Sequence, residues 1–243
     1  MHVSERHPPP VLQFYLTSPY TCTYLAARMA RSQVVVPADA VDTVMYSELV
    51  RRGFRRSGEH VYRPRCDSCK ACIPVRVAVA DFRAGRTQRR CERRNADVQI
   101  TFRPLAFDEA HYQLYRRYQA GRHAEGCMDQ DDREQYRAFV LHSSVNSFLL
   151  EYRLDDVVIM VSLVDRLVDG LSAVYTFFDP ERRERSLGVL GVLTLIRLAT
   201  ETGLPYVYLG YWIRDCRKMV YKSQYQPLQA WVEGSWCDWL HNE

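Results

Sequence analysis

Between residues 171 and 212 the hydrophobic pattern changes period twice, and that change dictates a topology. Residues 171–178 (LSAVYTFF) read as a strand. After the loop DPERRER, an N-capping Ser186 opens a run with Leu187, Leu190, Leu193, Ile196 and Leu198 near helical spacing. Gly203 and Pro205 stop that helix, and an apolar, aromatic strand, 206–212, begins at once. Strand, crossover helix and strand form a βαβ unit, so the two strands are expected to be parallel in one sheet. Ahead of it, 147–153 and 157–164, with turns at Asp155-Asp156 and Asp169-Gly170, extend the pattern into an antiparallel meander. The expected class is α+β with a mixed, mostly antiparallel sheet.

A meander followed by a βαβ unit resembles the core of GNAT-type acyltransferases. This gives a GNAT-like domain over 98–243 and a small cysteine-containing, basic domain over 1–97. In the latter, Asp39 is expected to cap a helix over 40–52, 60–63 and 74–79 read as strands, and 87–95 (TQRRCERRN) as a basic helix or arm. Beyond the boundary, 98–102 reads as a strand, Asp108 caps a helix through Tyr118, and 131–141 is a second helix.

The strand that closes the βαβ unit continues into a basic segment, YVYLGYWIRDCRKMVYKSQYQPL over 206–228, with Arg214, Arg217, Lys218 and Lys222. A buried strand ending among cations and tyrosine hydroxyls, that of Tyr211 among them, is where a site for an anionic, flexible ligand would be built.

Charge is distributed unevenly. Residues 51–94 carry 14 Lys+Arg against 4 Asp+Glu, whereas the remainder carries 19 against 25, so one part of the chain has the footprint of a polyanion-binding surface. No run of about 18 apolar residues occurs and the N-terminus lacks a signal-peptide core, which leads to the expectation of a soluble cytoplasmic protein.

Eight cysteines in such a compartment point to thiols or metal ligands rather than disulfides. Cys66, Cys69 and Cys72 are separated by two-residue gaps, and Cys22 follows a Pro turn. Together they are expected to form a four-thiolate site for zinc or an iron–sulfur cluster. The alternative is a loop of reduced thiols that only packs. No Ser-His-Asp or Cys-His triad is evident.

Six segments, in order along nearly the whole chain, carry a resemblance: SPYTCTYL (18–25), GFRRSG (53–58), YRPRCDSCKACIPVRV (62–77), RYQAGRH (117–123), Phe178-Asp179-Pro180 with Ser186-Leu187-Gly188, and YLGYWIRDCRKMVYK (208–222). In these the chain resembles the bacterial leucyl-tRNA–protein transferases, short relatives of the arginyl-tRNA–protein transferases. The resemblance implies transfer of an amino acid from aminoacyl-tRNA to the α-amine of a protein beginning with Asp or Glu, tagging it for degradation, with no cofactor required for the chemistry. It implies catalytic roles for His123, Asp179 and Tyr211, and substrate contacts from Arg55, Arg56, Lys218, Lys222 and Ser186. The tRNA is expected on Arg83, Arg89, Arg90, Arg93 and Arg94, with Arg182, Arg183 and Arg185 at its 3′ end. Whether leucine or arginine is donated stays open. A coenzyme A-dependent N-acetyltransferase is the other enzyme reading. Against it, the glycine signature after Arg185 reads Ser186-Leu187-Gly188-Val189-Leu190-Gly191, with the second glycine one position late.

Overall fold

A computed structural model describes residues 11–122 and 132–239. The chain opens with β1 (Gln13–Leu16), a two-stranded ribbon of β2 (Tyr20–Thr21) and β3 (Met29–Ala30), and β4 (Ser32–Val36). Helix α1 (Thr43–Arg51) follows. Its cap is Asp42, not Asp39: the Asp42 carboxylate accepts the Met45 amide at 2.8 Å, satisfying one of the open donors of the first turn. β5 (Arg55–Ser57) and β6 (His60–Pro64) complete an antiparallel sheet in the order β1-β4-β6-β5. Helix α1 covers one face, burying Tyr46, Leu49 and Val50 with Val35, Phe54 and Val61.

The second sheet has eight strands. β7 (Ile73–Ala78) and helix α2 (Arg86–Arg94) come first, then β8 (Gln99–Arg103), α3 (Glu109–Arg122) and α4 (Arg133–Tyr136), which widens into a π-type turn over Arg137–Leu141. The meander is β9 (Ser147–Leu154), β10 (Val157–Arg166) and β11 (Gly170–Phe178). Helix α5 (Leu187–Glu201) crosses to β12 (Tyr206–Trp212), and β13 (Leu228–Val232) and β14 (Ser235–Asp238) close the chain. Spatial order is β14-β13-β7-β12-β11-β10-β9-β8.

Local chemistry explains the meander and the crossover. Asp155 and Asp156, at φ +47° and +62°, form the left-handed two-residue turn that matches strand twist. Gly203, at φ +68°, ends α5, with the Leu204 amide donating back to the Ala199 carbonyl at 2.8 Å. β11 and β12 are parallel, as the βαβ pattern requires. Two features of the sheet have no local sequence signal: β7, from before residue 97, lies between β13 and β12, and the β13–β14 hairpin extends the edge.

Helices cover the large sheet with alternating side chains. Leu190, Leu193 and Ile196 of α5 pack on Val77, Met160 and Val207, while Tyr112, Leu114 and Tyr115 of α3 pack on Val161, Leu163 and Phe177. Each such aliphatic side chain contributes about 1.5–3 kcal/mol when fully buried. The result is an α+β fold with a mixed, largely antiparallel sheet.

Candidate active site

β11 and β12 pair only over Gly170–Ser172 with Tyr206–Tyr208, although they run on to Phe178 and Trp212. Beyond that point they part, and a bulge sits in each strand at the same level. One lies at Val174 against β10, the other at Leu209 against β7. A bulge bends its strand, so the pair opens a wedge.

Arg55 of β5 enters that wedge. Its Nη2 donates to the carbonyls of Ala173, at 2.5 Å, and Val174, at 3.0 Å. The guanidinium lies so close over Gly210 (φ +75°) that a Cβ there would overlap it. The Arg55 charge also acts on Tyr24, Tyr62, Tyr211 and Lys222, which therefore share its neighbourhood. Arg55 is half-buried, and its Nε and Nη1 have no hydrogen-bond acceptor among the described residues.

Its sequence neighbour has a different task. Arg56 is 4% exposed, and its Nε and Nη2 grip Asp165 at 2.8 and 2.6 Å. Nη1 donates to the Gly58 carbonyl at 2.9 Å and Nη2 also reaches Ser147 Oγ at 3.1 Å. The fork is fully occupied inside the protein.

Tyr211 and Lys222 line the same neighbourhood from the basic stretch. The Tyr211 hydroxyl donates to the Gly53 carbonyl at 2.9 Å, and burial, with the nearby Tyr62, pushes the phenol well above its ordinary pKa. Lys222 is 5% exposed. Its Nζ donates to the Tyr211 carbonyl at 2.6 Å, and burial followed by repulsion from Arg55 holds its pKa well below that of an ordinary lysine. Lys218 is exposed at the surface.

Asp179 ends β11. Its carboxylate accepts the Glu181 amide at 3.1 Å and Arg182 Nε at 3.2 Å, an arrangement that fastens the turn into Pro180. Gly121, near the end of α3, packs against Pro180. His123 lies outside the described residues. Ser186 occupies the first position before α5 in a left-handed conformation (φ +54°) and its side chain caps nothing, so the expected hydroxyl cap is not formed. Its carbonyl instead accepts the Val189 amide at 2.8 Å.

Helix α2 carries the arginines of the basic segment and is anchored at both ends of its buried side. Asn95 Nδ2 donates to the Arg185 carbonyl at 2.9 Å, and Gln88 Nε2 to the Gln224 carbonyl at 3.1 Å. The opposite side presents Arg89, Arg90, Arg93 and Arg94 to solvent. Arg83 folds back on the carbonyls of Ala80 and Phe82, and Arg89 on that of Ala84. Arg183 is exposed, whereas Arg185 forms a two-pronged pair with Asp97 at 2.8 and 3.0 Å.

The expected four-thiolate centre is corrected. Among the described residues, the only group of three or more His, Cys, Asp and Glu whose ligand atoms all lie within 4.8 Å of one another is Asp108, His111 and Glu151. Cys22, Cys66, Cys69 and Cys72 form no such group. Their sulfurs are engaged separately: Cys22 accepts the Leu25 amide at 3.4 Å, Cys69 accepts from Arg28 at 3.4 Å, and Cys66 donates to the Arg31 carbonyl at 3.8 Å. Cys72 packs with Leu25, Ile213 and Cys216, and burial, followed by the neighbouring Cys66, Cys22 and Cys69, pushes its thiol up to about 12. The Asp108 group is itself an ion network. Glu151 is buried, a cost that hydrogen bonds from Arg153, His111 and Arg103 outweigh, holding its carboxyl at about 2. Asp108 caps α3 through the Ala110 amide at 2.8 Å.

Tyr24, Tyr62 and Gly210 were missed as site residues by sequence reasoning. Gly210 carried a physical signal, since a lone glycine in an apolar strand marks a close approach, whereas Tyr24 and Tyr62 lay only within the segments that carry the resemblance. The tyrosines are brought in by the fold of segments far from β12.

Comparison with known proteins matches both halves of the chain. The model of the arginine-tRNA-protein transferase C terminus matches residues 110–232, and that of the N terminus of the same family residues 20–90. The chain is 60% identical to the aspartate/glutamate leucyltransferase of Chromobacterium violaceum, over 93% of each protein. It is 55% identical to that of Thiobacillus denitrificans, over 97% of this chain and 98% of the relative. For that of Nitrosospira multiformis the identity is 50%, over 94% and 91%. Among solved structures, L-PGS from Bacillus licheniformis has a TM-score of 0.45 at 11% identity, over 60% of this chain and 48% of that one, too weak a likeness to argue from. Matched in both halves and along nearly its whole length, the chain belongs to the arginine-tRNA-protein transferase family.

Proposed function

We propose that this protein transfers leucine from Leu-tRNA to the α-amine of proteins that begin with Asp or Glu, so tagging them for degradation. The observation that carries the reading is the identity, along almost the entire chain, to proteins named aspartate/glutamate leucyltransferase. In the reaction the α-amine attacks the ester carbonyl carbon of the aminoacyl-tRNA. The tetrahedral intermediate then expels the ribose hydroxyl, which takes up the proton lost by the amine. An α-amine has a pKa of about 8, so a useful fraction is already neutral, and positioning supplies most of the acceleration. We take the wedge between β11 and β12 as the place where donor and acceptor meet, in a GNAT-like domain over 98–243 served by the N-terminal part, 1–97.

Arg55 is our choice for the group that grips the acceptor carboxylate, because two of its nitrogens remain without a protein acceptor while Arg56 is spent on Asp165. Tyr211 and Lys222 shape the floor, with Lys218 at the rim. His123 and Asp179 are assigned to proton relay, and Ser186, Arg182 and Arg183 to the tRNA end, with Arg185 held by Asp97. The arginines of α2 and Arg83 are assigned to tRNA phosphates, since α2 is fastened both to the start of α5 and to the turn after Lys222. The cytoplasm, where aminoacyl-tRNA is found, is the proposed location. Among the described residues no helix is long and apolar enough to cross a membrane.

The test is incubation with radiolabelled Leu-tRNA or Arg-tRNA and peptides beginning Asp, Glu or Ala. Label is expected on the Asp and Glu peptides from Leu-tRNA alone. Label from Arg-tRNA only would reassign the donor, and label on none would overturn the reading.

A further inference from the structure

Strand pairing places four residues in a single row across the N-terminal sheet. Arg55 of β5 is opposite Tyr62 of β6, Tyr62 opposite Val34 of β4, and Val34 opposite Tyr15 of β1. Directly paired residues point to the same face. The row therefore begins at the guanidinium in the wedge and ends at the open edge of the sheet. Exposure follows the same direction: Arg55, Tyr62 and Val34 are half-buried, and Tyr15 is 52% exposed. Among the described residues, nothing shields the edge strand as exposed edges usually are shielded. All of β1 is exposed, and nearby Tyr20 and Met29 add aromatic and apolar surface at 41% and 58% exposure.

We propose that this row is the track along which the acceptor polypeptide lies, with its first side chain at Arg55 and its following residues crossing Tyr62, Val34 and Tyr15. This rests on the transferase reading above. Three observations select that occupant. The row is continuous with the site where the acceptor amine must react. Its one cation stands at the inner end, complementary to an acidic first residue, and no carboxylate lies on the row to oppose one. Beyond Arg55 the contacts are aromatic and aliphatic, which suits a chain whose later residues vary. A nucleic-acid strand would instead need cations along the path, and those lie on α2. Strands are spaced about 4.8 Å apart, so Arg55 to Tyr15 spans about 14 Å, or about four residues of extended chain. The track thus reads roughly the first five residues of the acceptor.

The experiment compares an Asp-initiated tripeptide with an Asp-initiated decapeptide, in the unaltered protein and in Tyr15→Ser. Val34→Thr, nearly the same shape, serves as a second variant. In the unaltered protein the KM of the decapeptide should lie about fivefold below that of the tripeptide, the scale of one or two aromatic contacts. In both variants the ratio of the two KM values should fall toward one. A ratio of one in the unaltered protein, or a ratio that survives both substitutions, overturns the track. So does a rise in the KM of Leu-tRNA with no change in the ratio, which would give the face to the donor. Binding of a fluorescent decapeptide, followed by anisotropy, separates this from the reading beneath it. Binding that depends on Tyr15 without any leucine transfer sinks the transferase reading alone, and transfer with Tyr15-independent binding sinks the track alone.

Discussion

Arg55 and Arg56 are neighbours in sequence, yet strand geometry sends them to opposite faces and gives them opposite fates. Arg56 points toward Asp165 and Ser147 inside the protein, while Arg55 reaches into the wedge over Gly210. Their substitutions should separate accordingly. Arg56→Ala leaves the Asp165 carboxylate buried without its partner and should lower stability by about 3–5 kcal/mol, read as a lower melting temperature. Arg55→Ala should leave the fold and Leu-tRNA binding intact and reduce kcat/KM for Asp and Glu acceptors by at least about thirtyfold, the scale of removing one charged hydrogen-bonded pair. Equal stability loss in both variants, with no selective kinetic effect of Arg55→Ala, would remove Arg55 from acceptor recognition.

Helix α2 is legible in sequence as a basic segment, but its use depends on how it is mounted. Gln88, Cys91 and Asn95 form its buried side, and Asn95 and Gln88 fasten it to the Arg185 loop and to the turn that holds Lys222. The arginines between those positions are left facing outward. Replacing Arg89, Arg90, Arg93 and Arg94 with Ala should weaken tRNA binding and flatten its dependence on salt, by about 0.9 in the log–log slope for each phosphate no longer neutralised if the bound segment is duplex. A slope unchanged in titrations across salt concentrations would move the tRNA to another surface. The Arg185 pair with Asp97 belongs to the mounting, so Asp97→Ala should loosen the loop before α5 rather than weaken the grip on a phosphate.

Across the whole molecule the two ends of the chain are interleaved. β7 is the strand between β13 and β12, so the N-terminal part supplies hydrogen bonds to both sides of the large sheet's interior. Side chains reinforce the joint: the Arg76 guanidinium stacks on Tyr206 at 3.5 Å and Trp236 at 4.4 Å, and its Nη1 donates to the Tyr208 hydroxyl at 3.1 Å. Tyr208 in turn donates to Asp169, which also holds Arg51 of α1. A fragment of residues 98–243 made alone lacks β7 and should expose an unpaired edge on each of β12 and β13, so it should aggregate or remain unfolded. Co-expression with residues 1–97 should restore soluble, active protein. A folded, monomeric 98–243 fragment, judged by circular dichroism and sedimentation, would disprove this dependence.

The local pattern by itself determined the meander, the parallel βαβ pair, the basic helix and the family, because each is written in turn residues, periodicity or contiguous motifs. It named Arg55, Tyr211 and Lys222 among its candidates because they lie in such motifs. What each one touches was decided by tertiary structure. Alternation on a strand separated Arg55 from Arg56, and a pair of bulges opened the wedge that Arg55 enters. Burial made Lys222 a structural hydrogen-bond donor rather than a surface cation. Cysteine spacing fixed only how far apart the thiols can be along the chain, while tertiary packing brings them into one neighbourhood without gathering three of their sulfurs within 4.8 Å of one another. Distances along a sequence limit which groups can meet, but only the pairing of distant strands settles which of them do.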